Sequence, residues 1–420
     1  MSLLVEGFDY LTAQTFPSLL SLFWFVFIFE IPRYFLGFLL ILLVRRPAPV
    51  NPHHRPEDHR LSVVIAGHSE AGAVERAVAG MHEQSLPPDE IILVSDGSTD
   101  EMPAKLADLL RRGLINQAHS TELRAGKSAG TNMASRWATG DIIVNLDCDC
   151  SFDRHALRNL LRPFEDPEVV AVCGNIQVRN RTATLIASFQ AIEYLIAISL
   201  GKQASAKLDQ VTCVSGAFGA FRKVDYDAVG GLDAGGGEDL DLTLRLRRAG
   251  GKIAFAEDAI CYTDVPATAK ALIKQRFRWE RDAVRLRYRK HADLMNPFSK
   301  TFRPSELIHE LDFLFFNVVS AAVLPFYIIW LFMLYGDFGF TVMASAQIGL
   351  FVLDLTTFLL AAYATPKARS YQLLLYLPGY SLFNGVYMRF VRLAAYIQEW
   401  VFRASYQDTY VPDKVHQVRG

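Results

Sequence analysis

The residues best suited to chemistry are two aspartates that follow a short apolar run. Asp147 and Asp149 come directly after residues 141–146, whose apolar side chains predict a buried strand. Ligands of open α/β sheets bind outside the carboxyl ends of the strands, so both acids would lie at a binding edge. Their oxygens suit a divalent cation that also contacts phosphates, which makes this pair the candidate metal ligands.

Two residues earlier in the chain could also bind a nucleotide. Asp96 follows the apolar run 91–94 and precedes Gly97, which can form the turn while the carboxylate faces a ligand. A plain Asp-Gly turn is the alternative. Lys127 lies in the sequence Ala-Gly-Lys-Ser, which lacks the full phosphate-loop pattern, but its ammonium would still suit a diphosphate.

Candidates for acceptor binding and catalysis come later. Ser215 and Gly216 open a stretch of small residues that would let an acceptor approach the backbone, and tight loop packing is the alternative. Glu238, Asp239 and Asp241 follow three glycines at the start of a predicted helix. Capping and the helix dipole explain one or two of these acids, which leaves at least one for catalysis.

A further set of candidates lies in the basic run 267–290. Gln275, Arg278 and Trp279 are spaced i, i+3 and i+4, so a helix would place them on one face. An amide, a guanidinium and an indole on one face suit a diphosphate beside a sugar ring. Taken alone, such residues would equally fit a lipid headgroup interface.

The elements that must position these residues alternate along the chain. Strands are predicted at 61–66, 91–94 and 141–146, and helices at 70–83, 103–112 and 128–138, with an irregular stretch before Lys127. Alternation of this length predicts a parallel sheet joined by right-handed crossovers. The middle of the chain is therefore expected to be the nucleotide-binding part of an α/β domain.

Apolar segments flank this domain. The 420 residues are 51% hydrophobic and 21% charged, which indicates a soluble domain plus membrane segments. Residues 17–44 are long enough to span a bilayer, and Glu30 and Arg33 within them should face protein or a cavity. Arg45 and Arg46 follow, so the chain beyond them is expected in the cytosol. No stretch between 61 and 300 is expected to span.

Apolar density returns at 311–335, 340–363 and 371–397. The last of these segments is ambiguous: it could span, be re-entrant, or end in an interfacial helix at 389–403 on the cytosolic face, which is the preferred interpretation. The domains predicted are a transmembrane segment 1–46, a linker 47–60, a catalytic domain 61–300, transmembrane and interfacial helices 301–403 and a tail 404–420.

Charge and cysteine content exclude other classes of protein. A net charge of −1 gives no reason to expect a nucleic-acid partner. The five cysteines form no CxxC pair and are expected to be reduced thiols. Cys148 and Cys150 could ligate a metal, but small packing side chains between the acids are the favoured interpretation.

The order of these motifs resembles a known family. Asp96, Asp147 with Asp149, Glu238-Asp239 and Gln275-Arg-Phe-Arg-Trp occur here as in the processive family 2 glycosyltransferases, the cellulose, chitin, hyaluronan and poly-N-acetylglucosamine synthases. The resemblance runs from about residue 60 to the end. It implies a GT-A fold, inverting transfer from a UDP-sugar (UDP-glucose or UDP-N-acetylglucosamine), and secretion of the growing polysaccharide acceptor through the membrane segments.

The resemblance also implies roles for single residues on the donor side. Asp96 would contact the uridine. Asp147 and Asp149 would hold the diphosphate through Mg²⁺ or Mn²⁺, with Asp149 as the direct ligand. Gln275 and Arg278 would grip the diphosphate.

On the acceptor side, Asp239 would be the general base beside Glu238, and Trp279 would contact the acceptor end. The implied location is a bacterial-type inner or plasma membrane, multi-pass, with the catalytic domain in the cytosol. An accessory secretion subunit or a second copy of the chain is a further expected partner. Two alternatives stay open: single transfer to a lipid carrier, and a transporter or catalytically silent scaffold.

Overall fold

The computed structural model describes residues 3–34, 59–299, 302–365, 370–407 and 412. Most of the predicted linker 47–60 and most of the tail 404–420 lie outside these residues. The second half of the first apolar segment, from residue 35, does so as well. Structural statements below concern the described residues.

An eight-stranded sheet forms the centre of the catalytic region. Its strands are β1 (Leu61–Gly67), β2 (Glu90–Asp96), β3 (Gln117–Thr121), β4 (Ile142–Leu146), β5 (Ser151–Phe152), β6 (Val169–Val178), β7 (Phe218–Arg222) and β8 (Lys252–Thr263). The strand order is β3-β2-β1-β4-β7-β6-β8-β5. The first four strands in this order are parallel, whereas β7 runs antiparallel to both of its neighbours.

Helices surround the sheet and continue into an apolar bundle. They are α1 (Leu3–Ala13), α2 (Phe16–Leu22), α3 (Val74–His82), α4 (Met102–Arg111), α5 (Lys127–Trp137), α6 (Ala156–Leu161), α7 (Leu185–Glu193), α8 (Gly201–Ala206), α9 (Lys223–Ala228), α10 (Glu238–Arg248), α11 (Ala269–Arg285), α12 (Pro304–Phe313), α13 (Ser320–Tyr335), α14 (Gly339–Ala364) and α15 (Met388–Phe402). Helical turns at Tyr194–Leu200, Leu286–Lys290 and Leu314–Val319 continue α7, α11 and α12.

The predicted strands and helices of the nucleotide-binding part agree with these elements. β2 and β4 are buried along their whole length and β1 nearly so, which explains why their apolar runs were visible in the sequence. The stretch predicted as irregular before Lys127 instead contains β3. This edge strand reads Gln-Ala-His-Ser-Thr and is only partly buried, so it has no apolar run to mark it.

Two helical stretches of the described chain are long and apolar enough to cross a membrane, namely Leu185–Ala206 and Pro304–Ala364. The first contradicts the expectation that nothing between 61 and 300 would pass this test. Its most apolar window is 67% buried inside the protein, because α7 and the turn after it pack against β6 and α14. Apolar composition in this helix is therefore accounted for by contacts within the fold.

The first apolar segment is not one straight helix. Phe16–Leu22 and Val26–Tyr34 meet at an angle of 86°, as in a broken span or a re-entrant loop, and the transmembrane role of the segment stays a prediction. Of the two charges in this segment, Glu30 does face protein, as expected. It is buried and forms an ion pair with Arg389 of α15.

A buried ion pair joins the catalytic domain to the helices that follow it. Arg247 of α10 donates from Nε and Nη2 to Glu306 of α12 at 3.0 and 2.5 Å, and both residues are at most 4% exposed. Replacing Arg247 with methionine leaves the carboxylate buried and unpaired, so we expect a loss of about 3–5 kcal/mol in stability, measured as a large fall in the unfolding midpoint in detergent.

The neighbouring Arg248 offers the control. Its pair with Asp293 is partly exposed, so the Arg248→Met variant should lose about 1 kcal/mol or less. Equal effects of the two substitutions would contradict the importance of the buried pair.

Candidate active site

The loop before α5 is held by a carboxylate at the end of β2. Asp96 is 3% exposed, and its two oxygens accept backbone N–H groups of Ala125 and Gly126 at 2.7 Å each. Gly97 permits this approach, because its φ is +59° and a Cβ there would lie 2.3 Å from the backbone nitrogen of Arg124. Asp96 thus fixes the loop that leads into α5, and its contact with uridine stays a prediction.

The residue placed by this loop points at the acidic pair. Lys127 is the first residue of α5, and its Nζ lies 2.5 Å from Oδ1 of Asp147, just beyond β4. Burial and then the charge of Asp147 raise the pKa of Asp149. Arg179 donates to the Asp149 carbonyl at 3.0 Å and pairs with Asp264, which fixes the turn between the two acids.

A third carboxylate, which the sequence analysis assigned no role, faces this pair. Burial raises the pKa of Glu70, a hydrogen bond with Cys148 lowers it, and the charges of Asp147 and Asp149 raise it further. Glu70 lies in the loop after β1, and β1 is the neighbour of β4 in the sheet. The strand order, which a single sequence does not give, was the signal needed to place it here.

Both candidate acids of α10 lie across a glycine from Lys127. A Cβ on Gly216 would lie 3.2 Å from Lys127 Nζ, 3.8 Å from Asp239 Cβ and 3.9 Å from Glu238 Oε1. The Gly216 N–H also donates to Asp239 Oδ2 at 3.4 Å. The structure therefore brings together Lys127, Gly216, Glu238 and Asp239, with Ser215 adjacent in the chain.

The three acids at the start of α10 have different surroundings. Burial and then the charge of Asp239 raise the pKa of Glu238 to about 7, although Lys127 acts in the opposite direction. Burial alone would raise the pKa of Asp241, but hydrogen bonds from His291 and Lys290 outweigh it and lower this pKa below its usual value. Asp241 is thus engaged in structure, so Glu238 and Asp239 remain as the acids available at the site.

The predicted helix is α11, and two of its residues beyond the predicted face contact the glycine-rich loop before α10. Asp282 packs against Gly236, and Arg285 donates to the Gly236 carbonyl at 2.7 Å, just before Glu238. On the predicted face, Gln275 has a buried Oε1 with no hydrogen-bond partner among the described residues, and Trp279 is 39% exposed.

Trp279 is held by a residue that the sequence analysis left without a role. The guanidinium of Arg276 stacks on its indole at 4.8 Å and forms a bidentate pair with buried Glu193 at 3.0 and 2.5 Å. The contacts of Trp279, Gln275 and Arg278 with donor and acceptor stay predictions.

A cavity of about 210 Å³ opens where these elements meet. It lies between the start of α5 and the glycine-rich loop before α10, and its wall includes Lys127, Gly235, Glu238 and Pro412. The cavity wall thus includes one acid of α10, Glu238, and Lys127, whose ammonium also pairs with Asp147 after β4.

The sheet with its helices and strand-end acids defines a GT-A-like α/β domain. A family model described as glycosyltransferase like family 2 matches residues 59–281, which is just over half of the chain. The chain belongs to this family and is a glycosyltransferase, as the motif order predicted.

The chain is also similar to individual proteins. A poly-β-1,6-N-acetyl-D-glucosamine synthase of Staphylococcus epidermidis is 26% identical over 300 residues, covering 70% of this chain and 68% of that protein. One of Staphylococcus aureus (strain MSSA476) is 27% identical over 290 residues, covering 69% and 67%. A mannosyltransferase of Pyrobaculum calidifontis, solved with GDP-mannose and Mn²⁺, has a TM-score of 0.59 at 20% identity, covering 92% and 99%. The last likeness concerns the fold.

Proposed function

We propose that the chain is a membrane-embedded polysaccharide synthase that transfers sugar from a UDP-sugar to the end of a growing polysaccharide. UDP-glucose and UDP-N-acetylglucosamine are the two donors expected from the sequence, and the names of the staphylococcal relatives favour the second. One observation supports the proposal above all. Lys127 pairs with Asp147 after β4, and its ammonium lies beside Gly216, which contacts Asp239 at the start of α10.

On the donor side, the chain offers groups that stabilise a departing nucleoside diphosphate. Lys127 carries a positive charge at the start of α5, where the helix dipole also favours an anion. Asp96 holds this loop in place and reduces the reorganisation needed when the donor binds. Arg278 and the side-chain N–H groups of Gln275 would complete the grip from α11.

The residues present could supply part of the ligand set of a divalent cation. Asp147 and Asp149 supply hard carboxylate oxygens, but the described residues contain no group of three or more His, Cys, Asp or Glu side chains arranged to hold a metal. The remaining ligands would therefore be donor phosphate oxygens and water. When bound, Mg²⁺ or Mn²⁺ would neutralise charge on the leaving diphosphate.

On the acceptor side, Asp239 is the proposed general base. Its Oδ2 is oriented by the Gly216 N–H, and Gly216 leaves the space in front of it free of a side chain. A base that takes the proton from the acceptor hydroxyl, without a second carboxylate to form a covalent intermediate, leads to inversion at the sugar carbon. The exposed face of Trp279 would pack against an acceptor sugar ring.

Product length is the test of this function. Purified protein is incubated with Mn²⁺ and radiolabelled UDP-glucose, UDP-N-acetylglucosamine or UDP-glucuronate, and the product is sized and digested with linkage-specific hydrolases. A polymer from one donor, absent with the Asp239→Asn variant, is the expected result. One sugar on a lipid would support the lipid-carrier alternative instead, and absence of UDP release with every donor would support a silent scaffold.

A further inference from the structure

The side chain of Arg276 lies between the proposed acceptor-binding tryptophan and a buried carboxylate. Arg276 and Trp279 are three residues apart on α11, and the guanidinium carbon lies 4.8 Å from the centre of the indole. Nη1 and Nη2 donate to the two oxygens of Glu193, the last residue of α7, at 3.0 and 2.5 Å. Arg276 and Glu193 are 6% and 7% exposed, whereas Trp279 is 39% exposed. A buried charge thus contacts an indole that still reaches the surface.

The bidentate pair fixes the plane of the guanidinium. Two parallel N–H···O bonds orient this planar group relative to its carboxylate, whereas the ammonium of a lysine would act as a point charge. The attraction between a cation and an aromatic ring acts over the face of the ring. A guanidinium held in this way therefore favours one rotamer of Trp279 over the other staggered rotamers.

The anchoring carboxylate is itself contacted from a third helix. Arg392 of α15 has its Nη2 3.8 Å from Glu193 Oε1, and its Nε donates to Glu280 Oε1 of α11 at 3.2 Å. Glu280 also accepts the hydroxyl of Tyr396 of α15 at 2.7 Å. Ionic contacts thus join α7, α11 and α15 next to Trp279, so the anchor does not depend on α11 alone.

Stability alone is a poor account of this arrangement. A buried ion pair often stabilises a protein no more than apolar residues of similar volume, because desolvation offsets the attraction between the charges. The pair of Arg276 and Glu193 also determines where an exposed aromatic ring lies. An indole that is already in its binding orientation loses less rotational freedom when a sugar ring packs against it.

We propose that Arg276 is a positioning residue, anchored by Glu193, that holds the indole of Trp279 in the orientation that packs against the acceptor sugar. This inference rests on the proposed role of Trp279 in acceptor binding. Because Arg276 acts through the indole, its loss should weaken acceptor binding and leave donor binding and the transfer step nearly unchanged.

Whether Arg276 holds the ring can be measured without substrate. The five tryptophans of the full chain are replaced by 5-fluorotryptophan, and the fluorine resonance of Trp279 is identified in detergent by its loss in Trp279→Phe. Arg276→Met should shift or broaden this resonance. The resonances of the other tryptophans should stay in place.

The continuation of α11 offers a matched control. Arg287 pairs with buried Glu310 of α12 at 2.5 Å, and its guanidinium lies 4.6 Å from the ring of Phe313. Arg287→Met therefore removes the same kind of buried guanidinium, ion pair and ring contact at another place. The Trp279 resonance of this variant should match that of the wild type.

Whether the orientation serves the acceptor is measured by a double-mutant cycle. The acceptors are oligosaccharides cut from the polymer of the wild type, and the variants are Arg276→Met, Trp279→Ala and the two combined. The acceptor KM should rise about threefold to tenfold in Arg276→Met, because one freed side chain must be ordered again. Its kcat and donor KM should stay within about twofold of the wild type. The double variant should match Trp279→Ala, since Arg276 has no effect once the indole is gone.

The outcomes separate this inference from the proposed function. An unchanged Trp279 resonance in Arg276→Met, or additive effects of the two substitutions on the acceptor KM, would overturn the positioning role. The same changes in Arg287→Met would show a general effect on the fold and overturn it as well. If Arg276→Met does not fold, Glu193→Gln, which weakens the anchor, decides by the same measurements. If the wild type forms no polymer from any donor, the proposed function fails and the acceptor role of the indole fails with it, whereas the fluorine resonance still decides whether Arg276 holds the ring.

Discussion

Replacing Asp239 with asparagine is expected to abolish sugar transfer while nucleotide binding survives. Asparagine keeps the size of the side chain, and its carbonyl oxygen can still accept the Gly216 N–H, but it cannot take a proton. Loss of a general base lowers kcat by about 10²–10⁴-fold. The measurements are the rate of UDP release and the affinity for UDP by calorimetry.

The adjoining acid provides a matched control. Because the pKa of Glu238 is raised to about 7, a large part of it carries a proton at neutral pH, and glutamine resembles that form. Glu238→Gln should therefore retain much more activity than Asp239→Asn. Normal turnover by the Asp239 variant would remove the base assignment, and a reversed order of the two effects would transfer it to Glu238.

The second large effect is expected at Asp149. Replacing it with alanine should abolish the Mn²⁺-dependent part of UDP binding, because the turn after β4 would lose its proposed direct metal ligand. UDP affinity of the variant with Mn²⁺ should equal that of the wild type without metal, when both are measured by calorimetry. The rate of sugar transfer by this variant should fall together with its UDP affinity.

One control variant and two contrary outcomes define this result. Asp108→Asn removes a partly exposed acid of α4 that pairs with Arg111 and Arg112, and it should leave UDP binding unchanged. Unchanged Mn²⁺ dependence in Asp149→Ala would contradict the proposed ligand. Equal loss of binding with and without Mn²⁺ would mean that Asp149 acts on the fold rather than on a metal.

Much of the catalytic domain could be predicted from the sequence, because its central strands are buried on both faces. β1, β2 and β4 therefore appear as short apolar runs, and polar residues after them mark the binding edge. β3 was missed since a polar edge strand has no such run. The bend between α2 and the following helix was missed because apolar composition gives length but not direction.

The candidate site was predictable only where a residue follows a local pattern. Asp96 and Lys127 come at strand and helix ends, but the hydrogen bonds of Asp96 to the loop before Lys127 depend on tertiary structure. Glu70 and Arg276 carry no local signal. Each is held by a partner on another element, Cys148 after β4 for Glu70 and Glu193 of α7 for Arg276, and the tertiary structure determines which elements meet.

The most direct test of the central claim is an experimental structure of the Asp239→Asn variant with an intact UDP-sugar and Mn²⁺. The anomalous signal of manganese locates the cation independently of the protein atoms. We expect this signal at Asp149, with the diphosphate beside Lys127 and the residue at position 239 facing the sugar carbon from the opposite side. Manganese elsewhere would contradict the proposal that the strand-end acids hold the cation. A sugar carbon that position 239 cannot approach would contradict the proposal that Asp239 is the base.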